Sequence, residues 1–319
     1  MKDWFKIEKK PKKGLLAVEW VIMGYWLLTT LLMFFTYVKL HNPESMLMGR
    51  VRVVAITLAM WLVYRLIPCR LTRLFRIMAQ MLLLSWWYPD TYEFNRMFPN
   101  LDHLVASAEQ HLFGCQPALL FARTLPNAVV SELMDMGYSA YFPMIAVVTL
   151  YYFLFRYEQF HRATFIILAS FFIYYTIFIF VPVAGPQYYY PAVGMDEIAR
   201  GVFPNVHDYF ATTREALTSP GWKDGFFYHC VLDAHAAGER ATAAFPSSHV
   251  GVSTLLMLLV WQTRNRRFFF LMMAIYVLLC LSTVYNCAHY AIDVIAGWLS
   301  ATLIFPLLHY TYRFWAKDS

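Results

Sequence analysis

Phe245-Pro-Ser-Ser-His249-Val-Gly-Val opens one long apolar run, and Ala288-His289-Tyr-Ala-Ile-Asp293 opens another. Each run begins with a histidine. On a helix, His289 and Asp293 stand four residues apart and share a face. Ser247, after Pro246, is a good N-cap for the first helix. The first-turn N–H groups at such an end are unpaired and form a ready anion site. A carboxylate inside a membrane is costly unless partnered, and the expected partner of Asp293 is the His289 imidazole. It would fix the ring's tautomer and make the other nitrogen a better nucleophile. A second histidine, His249, is then available for proton transfer at a phosphate. A lone histidine near a membrane surface is more often a polar anchor, and an isolated H-x-x-x-D arises by chance. The ordered set, with one helical hairpin between its two halves, is harder to dismiss.

The runs belong to a chain of 319 residues that is 60% hydrophobic and only 14% charged, with a mean hydropathy of +0.46. A soluble domain carries about 25% charged residues. Runs close to the ~20 residues that span a bilayer lie roughly at 15–38, 51–68, 72–88, 135–155, 162–184, 247–263, 267–287 and 289–312. They predict an all-α polytopic membrane protein of about eight transmembrane helices. The first run is longer than a signal-peptide core and no small-x-small site follows it, so it reads as a retained span.

With the N-terminus inside, most of the basic residues fall in inside segments. The positive-inside rule then puts both termini in the cytoplasm and His249 and His289 at outer helix ends. The net charge of +6 reads as this bias, and no nucleic-acid partner is expected. No CxxC or HExxH pattern points to a metal, and no cofactor is expected. Cys115 and Cys230 would both lie outside, where a bridge could form.

Residues 1–13 read as a basic cytoplasmic tail resting on lipid heads, 14–88 as N-terminal transmembrane helices, 89–312 as the core and 313–319 as a second cytoplasmic tail. Within the core, Leu101–Leu112 has helical spacing that ends at Gly114 and Pro117, which predicts an interfacial helix in the outer connection 89–134. The outer connection 185–246 is too long to be structureless without a role and reads as a lid over the site. Glu19, near the inner end of the first span, reads as a snorkelling side chain.

Pro246, Ser247 and His249, with His289 and Asp293, resemble the signatures of the type-2 phosphatidic acid phosphatase superfamily. The resemblance implies a six-helix core plus two N-terminal helices, with His289 as a nucleophile forming a phosphohistidine, Asp293 supporting it and His249 protonating the leaving group. Hydrolases of that superfamily carry an arginine six residues before the nucleophile, where this chain has Thr283, and a Lys…Arg-Pro signature that is missing here. The stretch Pro182–Pro191, the Phe-Pro-Ser-x-His motif and the Thr283…Tyr285…His289-Tyr290…Asp293 pattern are similar to inositol phosphorylceramide and sphingomyelin synthases. A phosphodiester carries one charge where a monoester carries nearly two, so the missing arginines suit transfer of a phosphorylated headgroup, such as phosphoinositol, from a phospholipid to a sphingolipid-type acceptor. Arg123, Arg200, Arg214 or Arg240 could supply charge from a loop. Substrate or phosphate contacts are expected from Ser247, Ser248, Gln187, Tyr188, Arg240 and Tyr285. A lipid phosphate phosphatase and a non-catalytic lipid-binding protein are the alternatives. The expected partners are a phospholipid donor and a lipid acceptor, with no obligate protein partner. Small size and short termini favour a bacterial inner membrane, with the site on its outer face.

Overall fold

A computed structural model describes residues 4–238 and 240–316. Residues 1–3 and 317–319, including Lys2 and Lys317 of the two basic tails, lie outside the described residues. Among the described residues all regular structure is helical. In chain order the helices are α1 (Ala17–Thr36), α2 (Pro43–Leu66), α3 (Arg70–Leu82), α4 (Leu84–Asn95), α5 (Asp102–Phe113), α6 (Pro117–Thr124), α7 (Ala128–Ser139), α8 (Tyr141–Phe155), α9 (Tyr157–Phe180), α10 (Pro186–Val193), α11 (Met195–Ala199), α12 (Tyr209–Thr212), α13 (Phe226–Gly238), α14 (Ser248–Gln262), α15 (Arg266–Tyr285) and α16 (Ala291–Ala316).

The protein is a multi-pass, all-α membrane protein, but with fewer spans than the apolar runs predict. By length and composition α1, α2, α9, α15 and α16 can each cross a bilayer, and α7 with α8 makes a sixth span bent by 49°. Pro143 in the first turn of α8 explains the bend, because its ring clashes with the carbonyl four residues back. The predicted third span instead divides into α3 and α4. Arg73 and Arg76, three residues apart on α3, turn toward partners in the protein. The sixth run forms α14, whose 15 residues reach only about 22 Å. That helix packs among α8, α9, α15 and α16, so its continuous apolar sequence reflects burial in protein.

The buried charges of α1 to α4 are paired, as the cost of a lone buried ion requires. Arg50 on α2 meets Asp90 on α4 in a two-pronged bridge, both hydrogen bonds 2.9 Å long and both side chains buried. Glu19 does not snorkel: it is fully buried, pairs with Arg76 of α3 and accepts the Leu16 N–H at 2.7 Å. The described part of the N-terminal tail is docked. Glu8 pairs with Arg73 and accepts from the Tyr64 hydroxyl at 2.6 Å, while the Trp4 ring packs against Phe153. The fifth helix appears almost where its spacing predicts, ending at Gly114 with φ +70°.

The long connection 185–246 is ordered into α10 to α13. Its later part is docked on one face of α7: Ser131 Oγ accepts the Trp222 N–H at 2.9 Å, and Glu132 accepts the N–H groups of Phe227 and Tyr228 at the start of α13. Cys230 lies on α13, and both it and Cys115 are free thiols, so the bridge that sequence permits is not formed. Removing one member of the Arg50–Asp90 pair strands a buried charge. Asp90→Ala is therefore expected to cost about 3–5 kcal/mol, and the apolar double replacement Arg50→Met with Asp90→Leu distinctly less. Thermal unfolding in detergent reads the difference; a single variant as stable as the parent contradicts it.

Candidate active site

The site forms where α14 and α16 start side by side. Ser247 caps α14, its hydroxyl accepting the Val250 N–H at 3.3 Å. Its own N–H donates to the Asp293 carbonyl at 3.1 Å and so ties the start of α14 to the first turn of α16. The helices cross closely because Gly297 has no side chain: a Cβ there would lie 2.8 Å from the Ser247 carbonyl oxygen.

This crossing brings the two histidines together. His289 Nε2 lies 3.3 Å from His249 Nδ1. His289 Nδ1 lies 2.8 Å from the Ala244 carbonyl oxygen. A carbonyl can only accept, so Nδ1 carries the hydrogen and Nε2 presents a lone pair toward His249. Asp293 Oδ2 is farther away, 3.5 Å from Nδ1, and accepts the Tyr290 N–H at 2.8 Å. The tautomer is thus set by a main-chain oxygen, where sequence assigned the task to Asp293. The carboxyl of Asp293 caps its own helix one turn below the ring. Ala243, with φ +72°, turns the chain just before that carbonyl.

His249, half-buried in the first turn of α14, stacks on Tyr138 at 5.0 Å and packs against Tyr141 at 4.3 Å between ring centroids. Those tyrosines come from either side of the α7–α8 break. Tyr138 in turn meets His235 of α13 edge-on.

Two buried carboxylates of α5 complete the frame. Asp102 accepts from the N–H groups of Ala184 and Gly185 at 2.6 and 2.8 Å, from the Asn100 amide at 2.6 Å and from the Tyr290 hydroxyl at 2.9 Å. Burial raises its pKa, and these donors oppose the rise. Glu109 accepts the Ile292 N–H at 3.0 Å, at the start of α16. Burial, aided by the nearby Asp293 charge, pushes its carboxyl up to about 8, against the opposing pull of the N–H groups of Ile292 and Ala291.

The other residues singled out by sequence are dispersed. Ser248 sits beside His249, its carbonyl 3.4 Å from the Tyr141 hydroxyl. Gln187 is buried with its N–H on the Cys287 carbonyl at 2.8 Å, two residues before His289. Tyr188 is buried against Phe210. Its neighbours Tyr189 and Tyr190 are buried too, with hydroxyls on the Pro204 carbonyl and on Gln116. Tyr285 points toward α6, its hydroxyl 3.2 Å from the Leu125 carbonyl. Arg240 is half-buried just before Ala241. Arg200 pairs with Glu197 at the surface, Arg214 lies over the Tyr92 ring, and Arg123 acts electrostatically on Cys287. Thr283 is buried and accepts the His289 N–H on its carbonyl at 3.0 Å. Among the described residues no group of three or more histidine, cysteine, aspartate or glutamate side chains is arranged to hold a metal ion.

A sequence model of the PAP2 superfamily matches residues 102–307, more than half of the chain. The chain belongs to the PAP2 superfamily. The matched region begins at Asp102 and takes in both histidines, Asp293 and the two carboxylates of α5. Membership of the PAP2 superfamily makes it a phosphatase or phosphotransferase in general terms. No curated protein and no solved structure matches the chain.

Sequence reasoning did not find the roles of Ala244, Tyr138, Tyr141, Asp102 or Glu109. A main-chain carbonyl leaves no residue signature, and tyrosines in a membrane protein read as packing. The two acids could have been found by asking why an interfacial helix would carry carboxylates at positions 102 and 109, seven residues apart and so on one face.

Glu109 yields a pH test. Its folded pKa lies above the ordinary 4.5, so the folded chain favours its protonated form. The stability that this provides is complete below pH 4.5 and is lost as pH rises through about 8. The melting temperature is therefore expected to fall across that window, and Glu109→Gln to flatten the fall. A slope unchanged in the variant contradicts the assignment.

Proposed function

We propose that this protein transfers a phosphorylated headgroup from a phospholipid to a lipid acceptor of sphingolipid type, through a phosphohistidine. The observation that carries the proposal is the pairing of His289 Nε2 with His249 Nδ1 at 3.3 Å, with the Ala244 carbonyl on the other ring nitrogen of His289. A nucleophile and a proton donor then serve one phosphorus within one small volume.

In the first half-reaction Nε2 of His289 bonds to the phosphorus and the bond to the diacylglycerol oxygen breaks, with His249 giving that oxygen its proton. In the second, the acceptor hydroxyl attacks the phosphorus, its proton passes to His249, and the N–P bond breaks. Ala244 holds the Nδ1 hydrogen throughout, and Asp293 balances the positive charge that the ring acquires. The start of α14, at Ser247 and Ser248, is suited to the phosphoryl oxygens. Gln187, Tyr188, Arg240 and Tyr285 belong to this proposal only as substrate contacts, and the buried positions of Tyr188 and Tyr285 favour them least.

Transfer is favoured over hydrolysis by Thr283. The position holds His289 through its main chain and brings no cation to the phosphorus. A diester with one charge needs less neutralisation than a monoester. Basic residues biased to the other side of the spans support a site on the outer face, with both ends of the chain inside.

Product analysis with labelled phospholipids and ceramide tests the reading. A new phosphosphingolipid is expected, formed only when both lipids are present. Free phosphate from phosphatidic acid with no transfer product would replace this reading with a phosphatase. His249→Ala is expected to lower kcat by about 10²–10⁴-fold at unchanged protein abundance, and full activity in that variant sinks the mechanism.

A further inference from the structure

A second group of polar side chains lines a cleft at the far end of the helices that frame the site. α14 has 15 residues and stops at Gln262, whereas α16 has 26 and carries Pro306 inside it. Proline brings no N–H there, so the carbonyl four residues back loses its helical partner. A cleft of about 380 Å³ lies beside this stretch, lined by Gln262, Phe305, Pro306, His309, Tyr310 and Arg313. His309 is about 27 Å along α16 from Ala291. The cleft therefore lies toward the bilayer face opposite His249 and His289.

The cleft is basic. Arg162, half-buried on α9, donates to the Gln262 amide oxygen at 3.3 Å. Arg162 and Arg313 both act electrostatically on His309. Arg162 Nε and His309 Nδ1 are buried and make no hydrogen bond. No acidic side chain lines the cleft, and among the described residues neither arginine is ion-paired. The positive-inside rule accounts for basic residues in loops on one side of a membrane. It does not account for Arg162 and His309, which are half-buried within helices and meet Arg313 at one opening. Two guanidinium groups near an apolar wall with no counter-charge are costly, and an anion removes that cost.

We propose that this cleft binds the phosphate of an anionic phospholipid from the leaflet opposite the histidines, with an acyl chain along Phe305, Pro306 and Tyr310. Guanidinium groups hold phosphate through paired N–H donors. The apolar wall selects a lipid over a soluble anion. It continues into Leu303 and Leu307, 73% and 55% exposed on a helix long and apolar enough to span a bilayer. A choline or ethanolamine headgroup would bring a further cation to the two already there, so a headgroup of net negative charge is favoured. Basic pockets between helices near a membrane surface suit such lipids. The lipid would join α9, α14 and α16 at the ends remote from the site, and so brace the two helices that hold His249 and Asp293.

The test uses the full chain in neutral detergent. Melting temperature is followed as phosphatidylglycerol, phosphatidylcholine or inorganic phosphate is added to the parent, to Arg313→Gln and to Arg267→Gln. Arg267 is exposed at the start of α15, outside the cleft, and serves as the control for a diffuse positive surface. The parent and Arg267→Gln are expected to be stabilised by phosphatidylglycerol over the same concentration range, and Arg313→Gln to need about 10-fold more. Arg162→Gln carries the same expectation as Arg313→Gln and replaces it should that variant fail to fold. Equal responses in the parent and the cleft variants, equal losses in Arg313→Gln and Arg267→Gln, or no response at all overturn the proposal. An equal response to phosphatidylcholine also overturns it, and a response to inorganic phosphate at the concentration that suffices for the lipid replaces the lipid with a soluble anion.

Discussion

Four hydrogen bonds converge on the buried carboxyl of Asp102, and the architecture of the site depends on them. Two come from the chain at Ala184 and Gly185, one from Asn100, and one from Tyr290 beside His289. The donors at Ala184, Gly185 and Tyr290 lie 82, 83 and 188 residues from Asp102 in sequence. No apolar contact could fix their relative position as closely, because hydrophobic burial is not directional and charge-assisted hydrogen bonds are. From that anchor the loop at Val183 takes the Ala244 N–H, and Ala244 in turn presents its carbonyl to His289. The tautomer of His289 is therefore set through a chain of main-chain contacts that begins at α5.

A second constraint acts from the other side. The helix α14, which carries His249, and α16, which follows His289, start together because Ser247 and Asp293 are joined through the main chain and Gly297 permits the crossing. The broken helix α7–α8 then supplies the aromatic wall of His249 from both sides of its bend, and α7 also carries the rail for the docked connection. The α7–α8 element thus touches both the docked connection and His249.

How legible this was follows from where each piece of information resides. The paired histidines, the Ser247 cap and α5 with its Gly114 end could all be read locally, since spacing and capping are properties of a few neighbouring residues. Helix length was misread at α14, a short apolar helix enclosed by protein, although α9, also largely buried, was read as a span. The run at 247–263 looks like a span because α14 is buried on nearly all sides, and the run at 72–88 conceals arginines whose partners, Glu8 and Glu19, are distant in sequence. Asp293 was assigned to the nearest histidine by its i+4 spacing. The Ala244 carbonyl, 45 residues away, took that place because a backbone acceptor costs no charge to bury.

The central claim is that His289 Nε2 carries the phosphoryl group during turnover. The most direct measurement is to quench the enzyme in alkali during turnover of a phosphorus-labelled phospholipid, without acceptor, and to map the label by mass spectrometry. The account predicts an acid-labile, base-stable phosphate on His289 that vanishes when a lipid acceptor is added. Lipid turnover with no label on the protein, or with the label on another residue, contradicts it.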